Sequence, residues 1–295
     1  MQKIDLTKSK DVIGAYNSID FSYERKTYTD YGTKYCFNVL DGKIVAGYNI
    51  QLACFRHLRD LQRQGDSDFP YVYSVEAFNR FLKFLSLVPN VDDLSQKLEP
   101  MDWQYFIFAQ LFAWFDLDDV PRFSNIIISI ARSQGKTMIA GICLNFSYLI
   151  EIIGQSNQDF LVSSLNFDQT MKLFTYVKSM MARIIENEPF KSLAEETQVQ
   201  LYSREIKSLV DANTIHTISF ESGKFDGKHF KLAVADEVGE LRTDEGISKI
   251  TSGQVNTEGS RFIEISTSYQ TPDVPFHQEQ KKLIEIMERD FDRSG

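Results

Sequence analysis

The chain has 295 residues, 43% hydrophobic and 25% charged, enough for one large core with or without a small appended domain, as in an ordinary soluble globular protein. No run of about 18 apolar residues occurs, and the opening MQKIDLTKSK lacks the apolar middle of a signal peptide, so neither membrane insertion nor secretion is indicated and the cytoplasm is the expected address. A formal net charge of -9 argues against a surface that grips nucleic acid everywhere, so any contact with DNA has to be local or assisted by another segment.

Residues 1–95 read as one region, rich in aromatics and mainly helical. In QLACFRHLRDLQRQ (residues 51–64), Cys54, Leu58 and Leu61 fall at i, i+4 and i+7 and predict a buried stripe. Arg56, Arg59 and Arg63 fall on another face, partly neutralised by Asp60. That face touches a phosphate backbone, touches a neighbouring subunit or is simply solvated, and the last is expected. SVEAFNRFLKFLSLV (residues 74–88) predicts a helix with Ser74 as its N-cap. The three cysteines, Cys36, Cys54 and Cys143, are too scattered for a disulfide framework and read as small buried hydrophobes. The four histidines are equally dispersed, which gives no support to a zinc site or a histidine-based triad.

Residues 96–295 change to short apolar runs alternating with helical segments. First comes EPMDWQYFIFAQLFAWF (residues 99–115), with Gln104 just ahead of an apolar helix. A glutamine amide makes paired hydrogen bonds with N6 and N7 of adenine, which makes Gln104 a candidate for base contact. Trp103 and Tyr105 either supply stacking surface or, as aromatics at helical spacing more often do, belong to the core.

Residues 125–131 (NIIISIA) are a continuous β-branched run, as in a strand covered on both faces, and MIAGICLNFSYLI after residue 137 reads as an apolar helix. Between them Arg132, Ser133, Gln134, Gly135, Lys136 and Thr137 form a near match to a phosphate-binding loop, with Ile130 where the motif has its first glycine. Such a loop needs backbone N–H groups aimed at phosphate, a lysine for the β/γ oxygens, a hydroxyl for Mg2+ and a helix N-terminus facing the anion. The triplet alone is weak; the strand before it and the helix after it carry the reading. Arg132 either stabilises charge on a transferring phosphoryl, reports on it, or is a solvent-facing loop arginine.

Further strands are expected at residues 159–164, 214–220, 230–236 and 261–268, with a helix over 167–185. Strands separated by helices imply a mostly parallel α/β sheet flanked by helices, with function at the strands' C-terminal ends. KLAVADEVGEL supplies the acids the loop requires: Asp236 as Mg2+ partner at a strand end and Glu237 as base for the attacking water. IEISTSYQTP ends a strand in Ser266, Thr267 and Ser268, hydroxyls able to sense whether a γ-phosphate or a water lies beside them. The tail from residue 276 reads as helical, the start of a C-terminal lid or linker.

Taken together these segments resemble the ATPase domain of the large terminase subunit of tailed bacteriophages. The resemblance rests on GKIVAGYNIQLACFRHLRDL, LEPMDWQYFIFAQLFAW as the adenine motif, IARSQGKT as a deviant Walker A loop, FDGKHFKLAVADE leading into Walker B, and IEISTS as the coupling motif. It implies a P-loop NTPase core at 96–295 behind the helical region 1–95, using ATP and Mg2+ to move viral double-stranded DNA into a procapsid. In that family an arginine inside a Walker A loop without its first glycine is common, so Ile130 and Arg132 fit. The implied roles are phosphate and Mg2+ binding for Lys136 and Thr137, metal holding for Asp236, water activation for Glu237, adenine contact for Gln104, and coupling to motion for Ser266, Thr267 and Ser268. The implied partners are DNA, held weakly by this chain alone, a portal protein, a small terminase subunit and further copies in a ring on the procapsid. The implied location is the cytoplasm of an infected bacterium and, transiently, the portal. Family members continue into an RNase H-like nuclease domain; the sequence stops soon after the coupling motif, so either a truncated piece or a natural ATPase-only form is expected, with no DNA cleavage from these residues.

Three rivals stay in view. Another helicase or translocase shares the loop and the acid pair but carries further arginine motifs in a second domain. A non-hydrolysing switch binds ATP without turnover, against which Glu237 speaks. A GTPase needs an Asn-Lys-x-Asp stretch, and none is present. Lys224, Lys228 and Arg242 are candidates for a basic residue reaching into a neighbour's site.

Overall fold

The computed structural model describes residues 4–93, 95–267 and 273–289. Packing divides the chain into two compact units, each drawn from several stretches: residues 1–80, 100–123 and 278–295 in one, 81–99 and 124–277 in the other. Composition had suggested one boundary near residue 95.

The elements of the first stretch are α1 (Val12–Asn17), α2 (Ser22–Thr27), α3 (Tyr31–Leu40), α4 (Tyr48–Arg63), β1 (Tyr71–Tyr73), α5 (Val75–Leu85), α6 (Asp102–Ala113) and β2 (Trp114–Asp116). Local chemistry sets their ends. Asp30 caps α3 by accepting the Thr33 N–H, and the Ser74 hydroxyl caps α5 by accepting the Ala77 N–H at 3.0 Å. As the spacing predicted, Cys54, Leu58 and Leu61 of α4 are buried.

The arginine face of α4 is not solvated. Arg59 is 3% exposed, and Asp60, 2% exposed, gathers Arg122 at 2.9 Å, Arg63 at 3.2 Å and Arg56 at 3.5 Å. The Arg122 guanidinium lies 4.7–4.9 Å from the ring centroids of Phe69, Tyr71, Trp114 and Phe123, so its charge is met by a carboxylate and by four aromatic rings. Periodicity places residues on a shared face; it does not say whether another segment covers that face. Here β1, β2 and residue 122 do.

His57 of α4 is buried beside this cluster. Its Nδ1 accepts the Trp114 indole N–H at 3.3 Å and lies 3.1 Å from the Gln110 amide, while Nε2 lies 3.0 Å from the Thr33 hydroxyl. The ring is therefore neutral, with its hydrogen on Nε2.

The second unit is a seven-stranded sheet. Its elements are β3 (Asn125–Ser129), α7 (Lys136–Phe146), a π-helical turn (Ser147–Glu151), β4 (Asp159–Ser163), α8 (Phe167–Ile184), α9 (Phe190–Thr197), β5 (Val199–Leu201), β6 (Glu205–Ser208), β7 (Thr214–Thr217), β8 (Phe230–Asp236), a 3-10 turn (Val238–Glu240), α10 (Glu245–Gln254) and β9 (Arg261–Ser266). The chain continues into α11 (Pro275–Glu288). The strand order is β3-β9-β8-β4-β7-β6-β5; the first five run parallel, and β6 and β5 add antiparallel. The expected mostly parallel sheet is thus present, with β9 inserted between the strand that precedes the loop and the strand that ends in Asp236. The hairpin β5–β6 was not expected: three- and four-residue strands carrying Glu205 and Lys207 give too short and too polar a signal.

Helices pack on the sheet, which is why its central strands are mainly apolar, with Arg261 and Glu264 of β9 as buried exceptions. Leu161, Ala233, Ala235 and Phe262 share a core with Phe225, Val238, Ile250 and Phe276. All three cysteines are free and buried.

Burial drives His57 down from its ordinary value to about 4, with Asp30 and Asp60 opposing and Arg122 assisting. A histidine depressed in the folded state contributes stability that is present above its ordinary value near 6.5 and is lost as pH falls toward 4. Unfolding free energy is therefore expected to drop between pH 7 and pH 4.5, by up to about 3 kcal/mol from this residue. In His57→Gln that part of the slope should vanish in parallel denaturant titrations; parallel pH curves for the two proteins would contradict it.

Candidate functional site

The loop between β3 and α7 is built by two left-handed residues. Gly135 has φ +78° and ψ +25° at the helix N-cap, a conformation glycine adopts without penalty. Ser133 has φ +61°, which costs an L-residue about 1 kcal/mol and is the kind of local strain that collects at functional sites. Ile130, by contrast, has a negative φ and continues the strand, donating its N–H to Ser266 O at 3.0 Å. The position where the motif carries its first glycine therefore makes no demand that an isoleucine cannot meet.

After the turn, α7 begins at Lys136, and the first N–H groups of a helix lack intrahelical partners. Successive N–H groups in such a turn, with the helix dipole behind them, form an anion-binding concavity. Arg132 and Ser133 are exposed, Gln134, Gly135 and Thr137 are half-buried, and Lys136 is 9% exposed.

Strand β8 brings the acids. Asp236 is its last residue; Glu237 follows with φ +59°, its N–H donating to Ile265 O at 2.8 Å and contacting Asp236 Oδ1 at 3.0 Å. That strained turn points Glu237 at the loop, where its Oε1 accepts from Lys136 Nζ at 2.6 Å. Burial raises the Asp236 carboxyl to about 6, with Lys136 opposing the rise and Glu237 adding to it.

Strand β9 sits between. The Ser266 hydroxyl accepts the Gly239 N–H at 3.0 Å, which ties this strand end to the turn after Glu237. Thr267 is 7% exposed, and its hydroxyl has no hydrogen-bond partner among the described residues. Ser268 lies outside the described residues.

The second unit thus brings together the loop residues Arg132 to Thr137, Asp236, Glu237, Ser266 and Thr267. Gln104 belongs to the other unit. It is 3% exposed at the start of α6, where its Oε1 accepts the Met101 N–H at 2.8 Å and its neighbour Tyr105 stacks on Tyr31 at 4.7 Å. Of the basic candidates, Lys224 and Arg242 are exposed, while Lys228 lies 3.3 Å from His216 Nε2.

One contributor escaped the sequence reading. Ser164, after β4, donates its hydroxyl to Asp236 O at 3.1 Å. DFLVSS ends an apolar strand in hydroxyls, two of them, as IEISTS does with three, and that parallel is the signal that points to it.

The residues fit a nucleoside triphosphate with a divalent cation. Lys136 and the α7 N-terminus match phosphate. Thr137 and Asp236 match a Mg2+ ion that takes one or two protein oxygens and completes its shell with phosphate and water. Among the described residues no group of three or more His, Cys, Asp or Glu side chains forms a protein-only metal cage. A carboxyl raised toward neutrality by burial is one that an adjoining cation returns to its charged form.

The family model described as "Terminase large subunit, ATPase domain" matches residues 102–283. The chain is similar to the large terminase of bacteriophage HK97, with 20% identity over 70% of this chain and 41% of that one and a TM-score of 0.56. It is also similar to the ATPase domain of the large terminase of Thermus phage P74-26, in a variant form, at 14% identity over 70% and 74% of the chains and a TM-score of 0.48. The UvsW helicase of bacteriophage T4 matches at 14% identity over 70% and 66%, with a TM-score of 0.44. The likeness to the HK97 protein shows the shared ATPase fold, and this chain spans 41% of that protein's length. No curated protein matches the chain in sequence.

Two outcomes test the site. A carboxyl raised in the folded state contributes stability below its ordinary value and loses it as pH rises through 6, so at pH 8 the Asp236 charge opposes folding. Asp236→Asn should raise the unfolding free energy at pH 8 by roughly 1–3 kcal/mol and do nothing at pH 4; a lower melting temperature at pH 8 would contradict this. Separately, Glu237→Gln removes the anion that holds Lys136, and nucleotide affinity should rise roughly three- to tenfold in an equilibrium titration. Weaker binding would mean that the pair does not compete with phosphate.

Proposed function

The chain belongs to the family of terminase large subunit ATPase domains, and on that premise we propose that it hydrolyses ATP with Mg2+ to drive viral double-stranded DNA into a procapsid. The observation that carries this reading is the Lys136–Glu237 contact at 2.6 Å with Asp236 next in sequence: a phosphate-binding cation, a base and a metal-holding acid in one place.

Lys136, Ser133, Gln134, Gly135 and Thr137 bind the phosphates, and Thr137 and Asp236 hold the cation. Mg2+ supplies charge withdrawal from the phosphoryl group when bound. Lys136 leaves Glu237 for phosphate, and the freed carboxylate orients the attacking water and takes its proton. Arg132, exposed on the loop, neutralises charge on the transferring phosphoryl. Gln104 contacts adenine. Ser266, Thr267 and Ser268 couple the event to motion; the tie from the Ser266 hydroxyl to the Gly239 N–H, two residues past Glu237, supports that role.

The partners proposed are those of a packaging motor: DNA, a portal protein, a small terminase subunit and further copies of the chain in a ring, in the cytoplasm of an infected bacterium and at the portal. A net charge of -9 is consistent with weak DNA binding by a single copy. No described helix is long and apolar enough to cross a membrane.

Steady-state ATP hydrolysis per chain, measured over a wide range of protein concentration, tests the reading. Turnover should rise per chain with concentration, as a neighbour completes the site, and should fall at least about 100-fold in Lys136→Ala and in Glu237→Gln. Turnover that survives both substitutions would assign hydrolysis elsewhere.

A further inference from the structure

The loop helix does not stop where α7 does. It widens into the π-helical turn Ser147–Glu151, a departure from α geometry that is uncommon and frequent at functional positions. Both ends of that turn reach one residue. Arg261, the first residue of β9, is 2% exposed, and its Nη2 donates to the Ser147 hydroxyl at 3.1 Å and to the Glu151 carboxylate. The backbone at the same point is held as well, since the Gln254 amide donates to Arg261 O and to Phe230 O at 2.9 Å each.

Stability alone is a poor reason for this arginine. Desolvating a guanidinium costs several kcal/mol, and replacing a buried ion pair by apolar residues of similar volume is often neutral or stabilising. The position adds to the cost: the Lys231 ammonium is close enough that Arg261, after burial, helps lower its pKa. What the pair supplies is a fixed geometry between two elements.

Those elements are the two arms of the site. Strand β9 ends in Ser266, whose carbonyl accepts the Ile130 N–H at the start of the loop. The loop leads into α7, which with the π-turn runs about 24 Å at 1.5 Å per residue. Glu151 and Ser147 then close back onto the first residue of β9. Loop, helix and strand form a closed frame, joined at the near end by Ile130–Ser266 and at the far end by Arg261. The near joint ties only the start of the loop to the end of β9; the far joint ties the end of the helix to the start of β9. With both joints in a close-packed core, the two arms move together or not at all.

We propose that Arg261 is a positioning residue that locks the far end of the loop helix to β9, so that phosphate binding at Lys136 is felt by Ser266 and Thr267. The inference rests on the nucleotide reading of the loop and goes beyond it: it assigns the transmission to a residue that never meets nucleotide.

Hydrogen exchange of the whole chain with and without MgADP tests it, in the wild type and in the double variant Arg261→Met/Glu151→Met, which removes both charges together. Glu151→Gln serves as the milder variant if the double one fails to melt cooperatively. In the wild type, MgADP should slow exchange in the loop segment 131–141 and, by about tenfold or more, in segments 147–152 and 261–267. In the variant, loop protection should persist while far-end protection falls below about threefold. Far-end protection that survives the variant overturns the proposal, as does a wild type protected at the loop alone. No protection even at the loop sinks the nucleotide reading, and this inference with it.

Discussion

The contact between Lys136 Nζ and Glu237 Oε1, at 2.6 Å across 101 residues of sequence, is the constraint on which the rest of the site depends. For those two groups to meet, the strand before the loop and the strand ending in Asp236 must run parallel, end at the same level and stand one strand apart. The order β3-β9-β8 does this, and β9 between them brings Ser266 to the same edge. Two left-handed residues finish the approach, Gly135 at the helix N-cap and Glu237 after the acid. The strain at Glu237 is held by hydrogen bonds from its own N–H and by the strand packing behind it.

The charges of Lys136 and Glu237 offset each other across this contact. A lysine bound to a carboxylate is not yet bound to phosphate, and a glutamate bound to a lysine is a poor base. Phosphate competes for the lysine with more negative charge and more acceptor oxygens than a carboxylate offers. On the proposed reading, binding and activation are one exchange of partners. Asp236, proposed to hold the cation, fits the same logic: burial raises its carboxyl toward neutrality, and an adjoining cation would favour its charged form.

Much of this was legible in the sequence because the residues that build the sheet are apolar and β-branched, and because Gly135, Lys136, Asp236 and Glu237 sit where strand turns to helix or loop. The covered face of α4 was not legible. The same arginines on the same helix read as solvated until Arg122, far along the chain, is seen to share Asp60 with them. Nor was Arg261, which in sequence is one charge at the entrance of an apolar strand and in the fold is a buried tie to Glu151. Ile130 taught the reverse lesson. A departure from the motif in sequence is no departure in geometry, because the backbone there continues the strand and needs no glycine.

On the proposed reading, a loop without its first glycine binds nucleotide phosphate through Lys136. Titration calorimetry of MgATP into the wild type and into Lys136→Ala measures it most directly. One site per chain is expected in the wild type, with a loss of affinity of about 100-fold or more in the variant. Equal affinity in the two proteins, or no binding to the wild type, would contradict it.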